Sequence, residues 1–170
     1  QIRSLLVLPL QNLSRDPDQE YFADGLTEVL ITYLAKISAL RVISRTTAMY
    51  YKGAKKTLPE IARELGVEGV VEGTVLRSGE RIRVSAQLIH APTDAHLWAE
   101  SYERDLRDVL ALQSEMAQAI ANEVRVKLTP REQAQFDEVR HVDPDAYEAY
   151  LKGRYHLNGR TRGGLGKAVQ

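Results

Sequence analysis

The sequence predicts an α/β domain, a mixed five-stranded sheet with helices on both faces, followed by C-terminal helices. Three observations carry that reading. Ser4–Leu10 is a short and almost wholly apolar run, the mark of a strand buried on both faces of a helix-covered parallel sheet. Helix-spaced segments separate the first three strand-like runs, and parallel strands need crossovers of that length. Tight turns separate the last three runs, which makes them antiparallel neighbours. The order is therefore β-α-β-α-β-β-β-α, with two further helices.

Each element has its own signal. Pro9 closes the first strand, and the polar, turn-rich Gln11–Glu20 reads as a loop. Phe22, Leu26, Val29, Leu30, Tyr33, Leu34 and Ile37 fall at helical spacing, with Asp24 placed as N-cap, so the first helix spans Asp24–Ile37. Leu40–Ser44 is the second strand, and Arg45–Lys56 reads as a long connection, basic and partly aromatic. Thr57 and Glu60 form a capping box before a short helix that buries Ile61, Ala62 and Leu65 and stops at Gly66. Val67–Arg77, rich in valine and glycine, is the third strand, and Ser78–Arg81 is a hairpin turn. Ile82, Val84, Ala86 and Leu88 alternate with Arg83, Ser85 and Gln87 in a half-buried fourth strand. Ala91–Asp94 turns the chain into a fifth strand, His96–Tyr102, near an edge. Leu106, Val109, Leu110, Gln113, Met116, Ala117, Ile120 and Val124 mark the clearest helix, about 20 residues long. Thr129-Pro-Arg-Glu132 and Asp143-Pro144 are two more helix starts, the last helix reaching about Leu157.

Composition excludes several chemistries. The 170 residues suffice for one domain with a core and part of a second. Lys plus Arg and Asp plus Glu are both 23, so no global charge draws the chain to nucleic acid or anionic lipid. With no cysteine there is no disulfide, thiolate metal site, iron–sulfur cluster or cysteine nucleophile. No apolar run approaches the roughly 20 residues that span a bilayer. Gln1 in place of Met, and Arg162–Gln170 stopping inside what reads as a starting helix, lead to the expectation of a piece of a longer protein.

Five blocks in order carry a family resemblance: VLPLQNLSRDPDQEYFADGLTEVLITYLAKI, LRVISRTTAMYYKG, IARELGVEGVVEGTV, RIRVSAQLIHAPTDAHLWAESYERDL and ALQSEMAQAIA. Together they resemble the TolB-like, or FlgO-like, domain over about Ile2–Leu128. The resemblance implies the fold of the TolB N-terminal domain and of the anticodon-binding domains of tRNA synthetases. It also implies a longer bacterial signalling chain. In chains of that family a winged-helix regulator, Ser/Thr kinase or nucleotide cyclase precedes the domain, often with a membrane helix between, and tetratricopeptide repeats follow. The tail DPDAYEAYLKGRYHLNGRTRGGLGKAV looks like the first helix of such an array, although Gly153 to Ala168 is too long for the repeat spacing. The expected division is 1–128 for the domain, 129–143 for a linker helix and 144–170 for a truncated repeat region.

Candidate chemistry is sparse. Asp24-Gly25 at the expected helix start would suit an anion through backbone N–H groups and the helix dipole. Plain capping is the favoured reading, because no glycine-rich cradle is present and Asp24 repels phosphate. Arg45, Lys52, Lys55 and Lys56, interleaved with Tyr50 and Tyr51, are the one basic-aromatic stretch and the natural place for nucleic acid. Zero net charge favours a solvated loop instead. Glu68, Glu72, Asp94, Glu100 and Glu103 define no acid–base pair, and Glu72 and Glu100 are expected to face Arg83 across the sheet. His90, His96, His141 and His156 lack metal spacing, and no nucleophile elbow is present. No catalytic residue, metal or cofactor is therefore expected. Trp98 shares a face with Glu100 and Tyr102, as core or as a partner anchor.

Three functions compete: a non-catalytic interaction and regulatory module, a small-ligand sensor for a nucleotide or other anion, and, on fold analogy alone, a nucleic-acid binder. For strand order 2-1-3-4-5 a ligand site would lie between strands one and three, lined by Gln11, Asn12, Ser14 and the Asp24–Thr27 helix start, including Gly25. Arg45, Lys52 and Trp98 complete the candidate contacts. Protein partners and a homodimer are expected, with no strong nucleic-acid binding and no membrane contact. Phe136, Val139, Tyr147, Tyr150, Leu151 and Tyr155 recur at helical spacing and would mediate self-association. By resemblance to membrane-anchored members, the domain would lie outside the cytoplasm.

Overall fold

The computed structural model describes residues 2–124 together with Pro130, Arg131 and Ala134. Its strands are β1 (Ser4–Val7), β2 (Gln11–Asn12), β3 (Arg41–Val42), β4 (Gly69–Ser78), β5 (Arg81–His90) and β6 (Ala95–Asp105). Its helices are α1 (Glu20–Ala35), α2 (Arg45–Tyr50), α3 (Leu58–Leu65) and α4 (Val109–Glu123). All six strands form one mixed sheet in the order β3-β1-β4-β5-β6, with β2 pairing β4 off that path. β1 is parallel to both β3 and β4, whereas β4, β5 and β6 are successively antiparallel.

β1 is buried at all four residues, and Leu5, Leu6 and Val7 are wholly inaccessible. Topology explains this. The chain moves from β1 outward to β3, then back across β1 to β4. Right-handed crossovers in those opposite directions put α1 on one face and α2 with α3 on the other. α4 then packs beside α1. Leu26 and Leu30 of α1, Val84 of β5, and Leu112 and Met116 of α4 meet around one point of this core. Each fully buried leucine there contributes roughly 1.5–3 kcal/mol.

Helical cover is unequal across the sheet. Ile82, Val84, Ala86 and Leu88 of β5 and Tyr102 of β6 are buried under α1 and α4. The alternating residues Arg83, Ala99, Ser101 and Glu103 are exposed on the opposite face, which among the described residues carries no helix here. The expected mixed sheet with helices on both faces is thus observed, the second helical layer covering its β3–β1 half.

Several local expectations hold. Thr57 Oγ1 accepts the Glu60 N–H, and Gly66 ends α3 in the left-handed region at φ 65°. A two-residue turn with Gly79 at φ 60° joins β4 to β5. Others are corrected. The sheet gains a sixth strand because Gln11–Asn12, read as loop, pairs with Thr74 and Val75. α1 begins at Glu20, not Asp24. Asp16 caps a 3-10 turn at Pro17–Gln19 by accepting the Asp18 N–H, and that turn runs straight into α1. Arg45–Tyr50 is a helix rather than a connection, capped by Ser44, whose hydroxyl accepts the Thr47 N–H. Register also moves the sheet's charges. Arg83 lies opposite Glu103 and Leu76, while Glu72 and Glu100 lie opposite Gln87 and Ala86. Phe136, Val139, Tyr147, Tyr150, Leu151 and Tyr155, with the expected repeat segment and all of the linker segment but Pro130, Arg131 and Ala134, lie outside the described residues.

Candidate functional site

The chain steps from β1 outward to β3 and then back past β1 to β4, so the connections switch sides between β1 and β4, and the segment leaving β1 borders a groove. The groove of about 570 Å³ is lined by Leu8–Asn12, Glu20, Tyr51–Ala54, Glu72–Thr74 and Gln87. It opens where open α/β sheets bind ligands, beyond the carboxyl end of parallel strands. Gly73 on the groove wall sits at a close backbone approach between β4 and β5. A Cβ there would stand 2.1 Å from the Ser85 carbonyl oxygen and 3.1 Å from Leu10 Cδ2. The backbone of β5 therefore admits only glycine here, and the Leu10 side chain fills the space beside it.

Beside the groove, α1 presents Glu20, Asp24 and Glu28, each four residues apart and so on one helical face. The α2 segment answers with two cations. Lys52 Nζ donates to Glu20 Oε2 at 2.9 Å and to both Asp24 carboxylate oxygens at 3.0 Å. Arg45 Nε stands 3.3 Å from Glu28 Oε2. Burial pushes the Asp24 carboxyl above its ordinary value, and the hydrogen bonds from Lys52 only partly offset that. Burial pulls Lys52 down, but its bonds to Glu20 and Asp24 outweigh this and hold the amine above its ordinary value. A nucleophilic lysine needs the opposite shift. Lys52 is a fixed cation, and the cluster is a structural clamp between α1 and the end of α2.

The expected site residues divide accordingly. Gln11, Asn12 and Lys52 line the groove. Ser14 instead knits the loop to β4: its N–H donates to Asn12 Oδ1 at 2.9 Å, and its hydroxyl accepts the Arg77 N–H at 3.2 Å. Thr27 is fully buried; its hydroxyl donates to the Ala23 carbonyl at 2.8 Å and accepts the Leu10 N–H at 2.9 Å. Asp24 and Gly25 are buried inside α1, so the helix start expected there, favoured as a plain cap and weighed as an anion site, lies four residues earlier. Arg45 faces Glu28 behind the groove. Trp98, opposite Leu88, packs half-buried against the core.

The basic stretch is largely neutralised from within. Besides Lys52 and Arg45, Lys56 pairs with Glu64, which also accepts the Tyr51 hydroxyl at 2.8 Å. Phosphate would have to displace these carboxylates. Glu20 and Thr74 of the lining were missed from the sequence, Tyr51 was read only as part of the basic stretch, and the two others not assigned to the groove were Glu72, read as a cross-strand partner of Arg83, and Gln87. The last two meet when Gln87 Nε2 donates to Glu72 Oε1 at 2.7 Å. Their place in the cross-strand register could have been found by counting the hairpin back from Ser78–Arg81. His90 Nδ1 lies 2.7 Å from Thr93 Oγ1 within its own turn. Among the described residues, no group of three His, Asp or Glu side chains could hold a metal, and no helix is long and apolar enough to cross a membrane.

No family model matches the chain. Over 151 residues, 89% of this chain, it is 47% identical to the protein named "Putative adenylate cyclase 3" of Rhizobium meliloti (strain 1021). The chain spans about a quarter (26%) of that protein's length. Among solved structures, TolB from Acinetobacter baumannii shares the fold with a TM-score of 0.55 at 16% identity, over 74% of this chain and 29% of TolB. Lipoprotein GNA1162 from Neisseria meningitidis does so with a TM-score of 0.51 at 19% identity, over 74% of this chain and 99% of the lipoprotein. At these identities the likeness establishes a TolB-like fold.

Proposed function

We propose that this chain is a non-catalytic interaction and regulatory module of a longer bacterial signalling protein. It links an effector domain, which is a winged-helix regulator, a Ser/Thr kinase or a nucleotide cyclase, to a repeat scaffold beginning near residue 144. One observation carries the reading. The 47% identical relative is named for a cyclase reaction, yet the stretch shared with it is only 26% of its length. The shared stretch also commits its buried carboxylates and Lys52 to a clamp rather than to proton transfer. Partners are proteins, a second copy of the chain among them.

The test has two arms. Purified chain incubated with ATP and Mg²⁺ is expected to form no cyclic nucleotide. In the complete gene product, in-frame deletion of residues 2–124 is expected to change effector output by several-fold while the effector stays folded. Nucleotide turnover by the 170-residue chain, abolished by Lys52→Ala, would refute the reading.

The groove favours a second reading, a small-ligand sensor. Its charge argues against an anion, because Glu20 and Glu72 line it against Lys52 alone, and Lys52 is already held by Glu20 and Asp24. A neutral or cationic ligand fits better than a nucleotide. Calorimetric titration with ATP is expected to give no heat of binding, and micromolar affinity for ATP would reverse that preference.

A further inference from the structure

Among the described residues β6 ends the sheet, and its outer side has no partner strand. Eleven residues from Ala95 to Asp105 make it the longest strand described. An edge of this length is a template for another strand unless something blocks it. The only irregularity lies at its start, where Leu97 is the extra residue of a bulge facing Leu88 and Ile89. From Ala99 to Asp105 the pairing with β5 is regular.

The ladder tells which backbone groups face outward. The Leu106 N–H reaches inward to the Glu80 carbonyl at 2.6 Å, on the β5 side. Antiparallel strands alternate, so Arg104, Tyr102 and Glu100 also bond inward. Ala99, Ser101, Glu103 and Asp105 therefore turn N–H and C=O outward, to a side on which the first three are exposed.

We infer that this edge pairs antiparallel with β6 of a second copy, about a two-fold axis at Tyr102. A two-fold axis perpendicular to the sheet must pass through one residue, so that side chains keep their faces. An axis at Glu100 or Glu103 sets a carboxylate against itself. An axis at Ser101 calls Leu97 into the ladder, where the bulge interrupts it. An axis at Tyr102 uses the whole regular stretch and nothing else. Ala99 then lies opposite the partner's Asp105 and Ser101 opposite the partner's Glu103, each pair exchanging backbone hydrogen bonds. Glu100 lies opposite the partner's Arg104, which gives two symmetry-related ion pairs. Arg104 already meets Glu115 at 3.3 Å and lies over the Tyr102 ring, and its guanidinium has donors for a second carboxylate. The pairing holds whether or not the domain couples an effector.

Light scattering on the full chain at tens of micromolar is expected to give twice the 19.1 kDa of one chain. Ser101→Pro removes an outward N–H and no internal ladder bond, so it is expected to weaken the dimer at least tenfold with the circular dichroism unchanged. Cysteine pairs test the register independently, because the chain has no cysteine of its own. Oxidised Glu100→Cys/Arg104→Cys is expected to form a covalent dimer, since non-hydrogen-bonded partners lie about 4.5 Å apart at Cα. Within one chain those two positions are roughly 13 Å apart along the strand, too far to bridge. Glu100→Cys alone is expected to stay uncrosslinked. A monomeric wild type, a dimer that survives Ser101→Pro through the tail or another surface, or cross-linking by Glu100→Cys alone would each overturn the inference. If Ser101→Pro fails to fold, the cysteine pair decides.

Discussion

The two ends of the sheet are built on different physics. At the β3–β1 end, parallel strands of two and four residues lie between helices on both faces, and β1 has no exposed residue. At the β5–β6 end, strands of ten and eleven residues are covered on one face and bare on the other. The bare face carries ion pairs: Arg81 to Asp105 at 2.9 Å, and Arg83 to Glu103 at 3.3 Å. Short strands suffice where helices supply the burial. Long hairpins are needed where backbone pairing must do that work from one side. The comparison teaches where partners can reach: at the covered end the faces are closed and the groove beyond β1 is the opening, while the hairpin end offers a long edge and a polar face.

Substitutions at matched depth should separate the two ends. Leu6→Ala, in the doubly covered strand, is expected to cost about 3–4 kcal/mol, because neighbours on both faces limit collapse into the cavity. Urea unfolding measures it, and a loss below about 1 kcal/mol would mean that β1 is less tightly held than its burial implies.

The next largest effect lies on the covered face of β6. Burial raises the Tyr102 hydroxyl from 10.0 to about 12, against a smaller opposing pull from Arg104. The unfolded chain releases that proton near pH 10, whereas the folded chain keeps it to about 12. The associated stability is complete below pH 10 and falls as pH rises through 12, by about 2 kcal/mol. Tyr102→Phe removes the ionisation, so its stability should fall less steeply between pH 10 and 12. Parallel curves for the two proteins would show that Tyr102 is not shielded.

The clamp lies between the two ends and should rank between them. Lys52→Met leaves Glu20 and the buried Asp24 without their cation. About 1 kcal/mol is expected, less than a fully buried pair would cost, because the Lys52 side chain is 42% exposed. Adding Asp24→Asn should recover part of the loss, and a double-mutant cycle without coupling would remove the clamp from the account of α2. Least of all, Arg83→Ala on the bare face is expected to change stability by less than about 0.5 kcal/mol, since both members of its pair are more than half exposed. A loss above 1 kcal/mol would mean that this face is covered in solution.

The sequence by itself determined most of the fold. Apolar runs, helical spacing, the Thr57–Glu60 box and the Ser78–Arg81 turn are local signals, and each is satisfied by residues within a few positions of one another. Even the start of α1 was legible, since Asp16-Pro17 is the same signal as Asp143-Pro144. Asp24 obscured it, being an equally good cap by type. Only the tertiary structure decided what Asp24, Thr27, Arg45 and Lys52 do, because their partners are distant in the chain. Asp24 and Lys52 are 28 residues apart, and Thr27 receives the Leu10 N–H from 17 residues away. A carboxylate near a helix start can cap, bind or clamp, and its type and spacing are the same in all three. What separates them is which cation the crossover brings alongside, and that depends on the order in which the strands pair.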